Sequence, residues 1–455
     1  METPAYFPEK DTIFDFFETQ TLKISDFNWS KGSTIILSHA DVINEGVLYE
    51  FEKSHEESRL YYFIATKDCL IRYNISILSS SNKLKEPNEG CLRLFFPIMG
   101  IMKDKKQNLL GLSLKSHGVT RTFFNQTKSE ILTWYSKLSK TCLLNNLKSD
   151  FDLFNTIGSG NFSTVNLAIK KKEQKEYAIK TMYLDKIKNK IKHIEAVINE
   201  ITILRKLDHP SIIQLFEVYY SGVTINLVFE YLKGGELFEY IDKKGAFTEE
   251  EAKNIIQKLV SILKYMHDHD IIHRDLKPEN ILLANKDDIQ SFKIADFGLS
   301  VINKKNERQF VRCGSPGFVS PEALNKEGYN QKADIFSVGI ISYILLVGFP
   351  PFQCETFKDT LIANRNCVIN YEREEFKKVS ESAFRFVIQA TCRDPFKRIS
   401  AEEAEKHEWF NKYDFQRQNS YLNGNLKANM AKLELFKLGI NKEQRWIIFQ
   451  LIAHY

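Results

Sequence analysis

The sequence of 455 residues lacks the features that mark several specialised classes of protein. Its 7 cysteines include no Cys-x-x-Cys pair, so we expect reduced thiols in a cytoplasmic protein rather than a disulfide framework. No basic stretch precedes an apolar run within residues 1–20, and a secretory signal is therefore not expected. The net charge is only +5 and no long block of like charge occurs, so we do not expect nucleic acid as a partner.

Long apolar runs are also scarce, and one of them imitates a membrane helix. Residues 335–354 carry no charge, but they include Gly348 and the pair Pro350 and Pro351. A helix that is apolar on all sides also occurs at the centre of a large domain. With 43% hydrophobic and 27% charged residues the chain has the composition of an ordinary globular protein. We expect this run to be buried core.

Composition and pattern divide the chain into four segments, with expected bounds 1–41, 42–145, 151–410 and 411–455. The first is an aromatic-rich extension without a clear period. In the second, short alternating runs separated by turn residues predict consecutive antiparallel strands. Thr127 and Glu130 form a capping-box pattern that predicts a closing helix containing Trp134. The third begins with strand patterns and continues with helical ones, as in an α+β domain.

A glycine-rich turn lies between two strand-like runs at Ile157–Val165. Glycines there allow main-chain N–H groups to approach phosphate oxygens. A strand pattern then ends at Lys180, and Glu200 comes later on a predicted helix. A lysine and a glutamate at these places can form an ion pair that aims the ammonium at phosphate. Because a lone Gly-x-Gly is more often a plain turn, the nucleotide-binding interpretation depends on this lysine and glutamate.

A second polar group lies in the segment His273–Asn280. Lys277 stands between Asp275 and Asn280, and Asp296 comes next in the tripeptide Asp-Phe-Gly. A carboxylate beside a lysine and an amide is suited to orienting a hydroxyl and neutralising a transferring phosphoryl group. Carboxylates also supply the hard oxygen ligands that Mg²⁺ prefers.

In order and spacing these motifs resemble the signature of protein kinases, over residues 151–410. The resemblance implies a bilobal α+β fold, with a β-rich N-lobe and a helical C-lobe, that uses ATP and Mg²⁺ on protein substrates. It implies that Asp275 is the catalytic base, that Lys277 steadies the γ-phosphate, and that Asn280 and Asp296 ligate Mg²⁺. The residues that it implies for the nucleotide are Ile157, Gly158, Ser159, Gly160, Asn161, Phe162, Ser163, Thr164, Val165, Ala178, Lys180, Glu200, Glu230, Leu232, Glu236 and Leu282.

The same resemblance implies supporting contacts in the large lobe. His273 and Phe297 would belong to the hydrophobic stack of the active state. Glu322 would pair with Arg398, and Asp334 would begin the central helix, which accounts for the uncharged run.

Finer features are similar to the calmodulin-dependent group of serine/threonine kinases. They include the runs Gly234–Phe238 and Cys313–Gly317. Glu236 and Glu279 resemble the acids that recognise an arginine upstream of the target serine, although they could instead be ribose or loop contacts. Val311 stands where many relatives carry a phosphorylated threonine. We therefore expect activity that does not require phosphorylation of this loop.

The strands and closing helix of residues 42–145 resemble a pleckstrin-homology domain. Members that bind phosphoinositides surround the headgroup with lysines and arginines. This chain offers Lys53 and Arg59 beside several acids, Glu50 among them, and acids repel a phosphate. We expect protein docking or autoinhibition rather than tight lipid binding, with peripheral membrane attachment as the alternative.

Residues 411–455 carry apolar side chains at helical spacing from Leu422 to Ile440, with lysines between them. Such a helix after a kinase resembles the autoinhibitory and calmodulin-target segments of this group, and a helix packed on the large lobe is an equal alternative. Residues 443–452 resemble the helix that leads into the calcium-binding region of calcium-dependent protein kinases. Yet the sequence contains no Asp-x-Asp-x-Asp-Gly loop, so three alternatives stay open: calcium sensing is borrowed from a partner, it is lost, or the sequence is truncated.

The leading interpretation is an active serine/threonine protein kinase with flanking docking and regulatory segments. A catalytically silent scaffold is the alternative from another class, and the presence of Lys180, Asp275 and Asp296 argues against it. A lipid-recruited kinase of the AGC type is a further alternative, although its carboxy-terminal Phe-x-x-Phe motif is missing.

Overall fold

The computed structural model describes Trp29 and residues 41–51, 58–79, 88–94, 96–103, 109–116, 118–160, 163–187, 191–303, 307–352, 354 and 356–410. This part of the chain forms two compact units. The first contains the described residues of Met1–Glu195 and Leu215–Glu230, and the second those of Ala196–Gln214 and Tyr231–Tyr455. The predicted tail helix after residue 410 lies outside the described residues.

The first unit opens with seven antiparallel strands, which confirms the prediction from the alternating pattern. They are β1 (Asn44–Phe51), β2 (Ser58–Ala65), β3 (Cys69–Asn74), β4 (Gly90–Arg93), β5 (Ile98–Lys103), β6 (Leu110–Ser116) and β7 (Val119–Phe124), with a 3-10 helix at Ile75–Ser79. Their order in the sheet is β4-β3-β2-β1-β7-β6-β5, so that β1 pairs with both β2 and β7.

Helix α1 (Lys128–Leu138) comes after these strands and buries Ile131, Trp134 and Leu138 along one face. A Cβ at Gly46 of β1 would lie 3.5 Å from the Trp134 indole nitrogen, so the strand passes close to the ring. The helix has Thr127 at its N-cap, as predicted, but the predicted capping box is wrong. The Thr127 side chain makes no capping hydrogen bond, and its backbone N–H donates to Asn125 Oδ1 at 2.7 Å instead of to Glu130.

A second set of strands belongs to the same unit: β8 (Leu143–Leu144), β9 (Phe151–Ser159), β10 (Ser163–Lys170), β11 (Lys175–Tyr183), β12 (Leu215–Tyr220) and β13 (Thr224–Glu230). Helix α2 (Leu147–Asp150) precedes β9. Helices α3 (Leu184–Ile187) and α4 (Ile191–Lys206) come after β11, and α4 continues into the residues of the second unit.

Strand β8 joins the two sets. It pairs in parallel with β5 on one side and with β12 on the other, through Leu143 and Leu144. The described strands of the unit thereby form one 13-stranded sheet, in the order β4-β3-β2-β1-β7-β6-β5-β8-β12-β13-β11-β10-β9. The expected boundary between residues 145 and 151 therefore falls inside a continuous sheet.

The hydrophobic core of the first unit is also continuous across the joint, by which we mean the place where β8 connects the two sets of strands. One cluster of buried side chains contains Trp134, Leu138 and Leu144 together with Phe151 and Tyr219. The Phe151 and Tyr219 rings meet edge to face with centroids 6.0 Å apart. Offset or edge-to-face aromatic pairs add to the stabilisation from burial. The joint is held by packing as well as by backbone hydrogen bonds.

Glu50 of β1 corrects the interpretation of the acids near the first hairpin. Its carboxylate is 1% exposed and accepts hydrogen bonds from Arg72 at 2.8 Å, from Arg121 at 3.0 Å and from the Trp29 indole at 2.8 Å. The Arg72 guanidinium also stacks 4.5 Å from the Trp29 ring centroid. Glu50 is therefore neutralised inside the fold and does not face a ligand. The other acids of that loop lie outside the described residues.

The second unit is mainly helical. Its helices after α4 are α5 (Leu237–Lys244), α6 (Glu249–Asp268), α7 (Pro321–Asn325), α8 (Lys332–Val347), α9 (Phe357–Asn366), α10 (Glu381–Ala390) and α11 (Ala401–Glu405). Short strands accompany them: β14 (Gly235–Glu236), β15 (Ile271–Ile272), β16 (Ile281–Asn285), β17 (Asp288–Ile294) and β18 (Val301–Ile302). There are also 3-10 helices at Pro278–Asn280, Glu374–Lys378 and Glu408–Phe410.

Helix α8 contains most of the uncharged run, and every residue from Ala333 to Val347 is buried. This confirms the expectation of buried core. Among the described residues, no helix combines the length and apolar character needed to cross a membrane. The predicted pair of Glu322 and Arg398 is also confirmed, with two hydrogen bonds of 2.7 and 2.9 Å between almost fully buried side chains.

Candidate active site

The glycine-rich turn links β9 and β10 in the first unit. Gly160 N–H donates to Ser163 O at 2.8 Å, and Gly158 pairs with Val165 across the two strands. Neither Gly158 nor Gly160 has a positive φ, and a Cβ at either position would meet only ordinary contacts at 3.4 Å or more. The glycines therefore leave room above the strands rather than relieve backbone strain. That room suits a phosphate approached by backbone N–H groups.

The predicted nucleotide-binding residues on β10 and β11 share one face of the sheet. Lys180 stands directly opposite Val165 on β10 and Leu227 on β13, and Ala178 stands opposite Phe229. Directly opposed residues of antiparallel strands project to the same side. The remaining predicted residues of this unit lie on the turn or at the end of β13, namely Ile157, Ser159, Thr164 and Glu230. Asn161 and Phe162 lie outside the described residues.

Lys180 and Glu200 belong to different units, Glu200 being a buried residue of α4. The ion pair expected of them stays a prediction.

In the second unit, Asp334 at the start of α8 holds the segment that carries Asp275. Its buried carboxylate accepts hydrogen bonds from the backbone N–H of His273 and of Arg274, both at 2.9 Å, and lies 3.0 Å from His267 Nε2. Burial alone would raise the pKa of Asp334, but these partners, the His267 ring foremost, hold it below its usual value. The bonds also secure Arg274 at φ 69°, a conformation that is uncommon outside glycine.

Asp275 lies at the centre of a small hydrogen-bonded group. Its Oδ1 accepts from Ser315 N–H at 2.8 Å, and its Oδ2 accepts from Asn280 Nδ2 at 3.1 Å. The Lys277 ammonium is 3.6 Å from the same Oδ2 and donates to Ser315 Oγ at 2.7 Å. Burial alone would lower the pKa of Lys277, but the nearby carboxylates of Asp275, Glu279 and Asp296 raise it. The ammonium stays charged beside the carboxylate.

The Asp-Phe-Gly segment is tied to the same group. Ala295 N–H donates to Asn280 O at 2.9 Å, which places Asp296 next to Asn280. Phe297 packs on the His273 ring at a centroid distance of 5.1 Å, which confirms the predicted contact of the hydrophobic stack. Asp296 itself has φ 59°.

The oxygens of Asn280 and Asp296 fit a divalent cation of the magnesium type. Magnesium is usually held by one or two protein oxygen ligands, with phosphate and water completing the octahedron. Asn280 and Asp296 supply two such oxygens, so the donor set fits an ion that is shared with the nucleotide's phosphates. Within the described ranges, no three His, Cys, Asp or Glu side chains converge as a metal site of their own.

The two acids expected to recognise arginine lie near each other in the second unit. Glu236 on β14 pairs with Leu282 on β16. Burial raises the pKa of Glu279, and the charges of Asp275 and, to a smaller extent, Glu236 add to this, while Lys277 opposes it. Glu279 Oε2 is buried and has no hydrogen-bond partner. A buried carboxylate oxygen without a partner is costly, so this oxygen is suited to an incoming donor. Leu232 lies close by in sequence, just before β14.

Two contacts of this region were not predicted. Ser315 binds both Asp275 and Lys277, and Asp334 accepts hydrogen bonds from the backbone of the two residues before Asp275. The sequence offers a signal for Ser315, since it belongs to the run Cys313–Gly317 that resembles the calmodulin-dependent group. Asp334 was placed correctly at the start of the helix, but its bonds to a segment sixty residues earlier have no local signature.

Comparison with known proteins agrees with this geometry. The family model "Protein kinase domain" matches residues 151–410, more than half of the chain, and the chain belongs to that family. A calcium/calmodulin-dependent protein kinase type 1 of Caenorhabditis elegans is 38% identical over 267 residues, covering 58% of this chain and 75% of the relative. The enzyme of that name from Macrobrachium nipponense is 36% identical over 289 residues, covering 63% of this chain and 83% of the relative.

A probable serine/threonine-protein kinase 2 of Plasmodium falciparum is also similar, at 38% identity over 264 residues, covering 58% of this chain and 50% of that protein. The protein is thus a serine/threonine protein kinase that uses ATP and Mg²⁺. Nothing in these comparisons or in the geometry favours the silent scaffold.

Proposed function

We propose that this kinase phosphorylates serine or threonine in basic sequence contexts, with Asp275 as the residue that orients the substrate hydroxyl. The observation that carries this is the geometry around Asp275, whose two oxygens are fixed by Ser315 and Asn280. A carboxylate held in this way can accept the hydroxyl proton. Lys277 beside it supplies positive charge where the transferring phosphoryl group becomes more negative.

The nucleotide is proposed to lie on the face of the first unit's sheet that carries Val165, Ala178 and Lys180. Lys180 would bind the α- and β-phosphates, and the backbone of Glu230 and Leu232 would hold adenine. Mg²⁺ would be held by Asn280 and Asp296, and it would neutralise the phosphate charge.

Since Asp296→Asn removes the charged ligand, the Mg²⁺ concentration for half-maximal transfer should rise in that variant.

Recognition of an arginine in the substrate is assigned to Glu236 and Glu279. The unpartnered Oε2 of Glu279 supports this, because a guanidinium would supply the missing donor in a charge-assisted bond. The test compares peptides with Arg-x-x-Ser and Ala-x-x-Ser. In Glu279→Gln and Glu236→Gln enzymes, kcat/KM for the arginine peptide should fall about tenfold, while that for the alanine peptide changes little.

Glu239→Gln is the matched control, because Glu239 lies three residues after Glu236 in α5 and its carboxylate is largely exposed. It should leave the preference for arginine intact. If the Glu236 variant instead raises KM for ATP and keeps the peptide preference, Glu236 is a ribose contact and the assignment fails.

Calcium/calmodulin occurs in the names of two of these relatives, and we propose that a calcium sensor of this kind acts on residues 411–455. The support is the lysine-rich apolar stripe in that segment. Full-length enzyme should become more active with Ca²⁺ and calmodulin, and the double change Leu433→Asp and Phe436→Asp should remove the response. Constant activity under both conditions would contradict this regulation.

We propose further that residues 42–145 form a pleckstrin-homology-like domain that docks a protein, and that the kinase is cytoplasmic. Seven strands followed by a helix with a buried tryptophan support the first point. The internal neutralisation of Arg72 and Arg121 by Glu50 leaves these arginines unsuited to a phosphoinositide. Strong, headgroup-specific binding to phosphoinositide liposomes that Arg59→Ala abolishes would overturn the preference for protein docking.

A further inference from the structure

Tyr329, in the loop before α8, contacts the segment that contains Val311. Tyr329 is 3% exposed, and its backbone forms a two-way bridge with Gln309, with N···O distances of 2.8 and 2.9 Å. Its hydroxyl donates to Val311 O at 2.8 Å and lies 3.6 Å from Cys313 Sγ. The hydroxyl thus binds the backbone at the position where a phosphorylatable residue is absent.

The same hydroxyl also receives a hydrogen bond from Arg274. The guanidinium donates from NH1 to Tyr329 Oη at 3.3 Å, and its Nε donates to Leu299 O. Arg274 directly precedes Asp275. The phenol therefore links the segment around Val311 to the residue that precedes the proposed catalytic base.

The residues that follow Val311 in the sequence contact Asp275 and its neighbour Arg274. Gly314 has φ 105° and passes so close to Arg274 that a Cβ would lie 2.6 Å from Arg274 O. The next residue, Ser315, donates its N–H to Asp275 Oδ1 and accepts from Lys277. A shift of the chain at residues 311–313 would therefore move Ser315, which binds both Asp275 and Lys277.

We propose that the Tyr329 hydroxyl is a positioning group that holds Arg274 and residues 311–315 in the catalytic arrangement without phosphorylation. The proposal rests on the kinase activity assigned above and adds the means by which a chain with Val311 orders this segment. Burial raises the pKa of Tyr329, so the phenol stays protonated and remains a donor at physiological pH. Its ring also packs in a small cluster with Val319 and Leu324, which a phenylalanine would preserve.

The test compares Tyr329→Phe with the control Tyr343→Phe, in full-length protein treated with phosphatase. Tyr343 is equally buried, and its hydroxyl donates to Asn370 O at 3.4 Å, away from Asp275 and its partners. Loss of the Tyr329 hydroxyl should lower kcat about tenfold, with KM for ATP within about twofold of the wild type, since one hydrogen bond that orders the site is removed. Tyr343→Phe should keep the wild-type kcat.

A double-mutant cycle separates positioning from general stability. If the hydroxyl acts through Arg274, Tyr329→Phe should add little to the loss caused by Arg274→Gln, so the two effects are not additive. Fully additive losses, or a wild-type kcat in Tyr329→Phe, would overturn the proposal. A fall in kcat that merely tracks a fall in melting temperature would overturn it as well.

The wild-type measurement distinguishes this proposal from the function on which it rests. Unphosphorylated wild type that becomes active only after another kinase modifies residues 299–315 would overturn the role of Tyr329 and leave the kinase function standing. Wild type that transfers no phosphate in either state would overturn both.

Discussion

Each unit of the molecule contains a buried carboxylate that binds three donors, and the two differ in what they hold. Glu50 in the first unit binds the side chains of Arg72, Arg121 and Trp29. Asp334 in the second binds two backbone N–H groups of the segment before Asp275, and the ring of His267. The first carboxylate joins strands to one another, whereas the second holds the backbone from which Asp275, the proposed base, projects. Changes at the first should affect stability, and changes at the second should affect rate.

The largest effect is expected for Asp334→Asn. The amide keeps the shape but loses the charge, and its nitrogen cannot accept one of the two backbone hydrogen bonds, which reach different oxygens from His273 and from Arg274. Asp275 should be displaced, and misplacement on the ångström scale costs about 10²-fold in rate. Steady-state kinetics of folded, purified protein would check this. A kcat near that of the wild type would remove the distinction between the two carboxylates.

Glu50→Gln should do the opposite of Asp334→Asn: it should lower stability and leave the rate unchanged. Removing the charge leaves Arg72 and Arg121 without their buried partner, which lowers the free energy of unfolding by about 3 kcal/mol. Chemical denaturation measures this change, and kcat of the folded fraction should stay the same. A loss of kcat without a loss of stability would show that the first unit's carboxylate also serves catalysis.

Leu144→Ala tests the joint between the two sets of strands. Leu144 is 1% exposed and lies in the strand that pairs with both β5 and β12. The cavity should cost about 2–3 kcal/mol of unfolding free energy. Because the joint is one sheet, residues 44–124 and 151–230 should lose stability together in hydrogen exchange. Destabilisation confined to one set would show that they unfold independently.

The smallest effect is expected for Thr248→Ala at the start of α6. Thr248 and Glu251 form a capping box there, and its loss should cost about 1 kcal/mol of unfolding free energy at pH 7 without changing kcat. A second-unit contact that shares no partner with Asp275 should thus affect stability and not rate, as the Glu50 contacts of the first unit do. A large loss of rate would contradict this.

The capping box also has a pH dependence. Burial would raise the pKa of Glu251, but the hydrogen bonds from Lys244 and Thr248 hold it below the usual 4.5. A lowered carboxyl pKa stabilises the fold above the unfolded pKa, and this contribution is lost as the pH falls through the folded value. The difference in unfolding free energy between wild type and Thr248→Ala should therefore shrink below about pH 4.5. A difference that stays constant in acid would contradict the role of the carboxylate.

The contacts around Asp275 are easier to predict from the sequence than the joint of the first unit, for a physical reason. The partners Asp275, Lys277 and Asn280 are neighbours along the chain, so their chemistry is visible as one motif. Strand β8 has only two residues, and its partners begin at Ile98 and Leu215. Two leucines carry no period from which such long-range pairing can be inferred.

Glu50 shows the same limit. Further acids lie near it in sequence, Glu52 among them, and together they suggest a charged surface that would repel phosphate. Its neighbours in space are arginines from β3 and β7, which only the register of the sheet brings together. The capping box expected at Thr127 failed for a related reason, because Asn125 binds the N–H that Glu130 was expected to bind.

The most direct measurement is phosphate transfer from Mg²⁺-ATP to an Arg-x-x-Ser peptide by full-length, phosphatase-treated protein, beside Asp275→Asn. The wild type should transfer phosphate without prior modification, and the variant should be slower by about 10²- to 10⁴-fold, the usual contribution of a positioned base. Equal rates for the two proteins would contradict the assignment of Asp275. A wild type that transfers phosphate only after another kinase has modified residues 299–315 would contradict the claim that the fold itself orders the site.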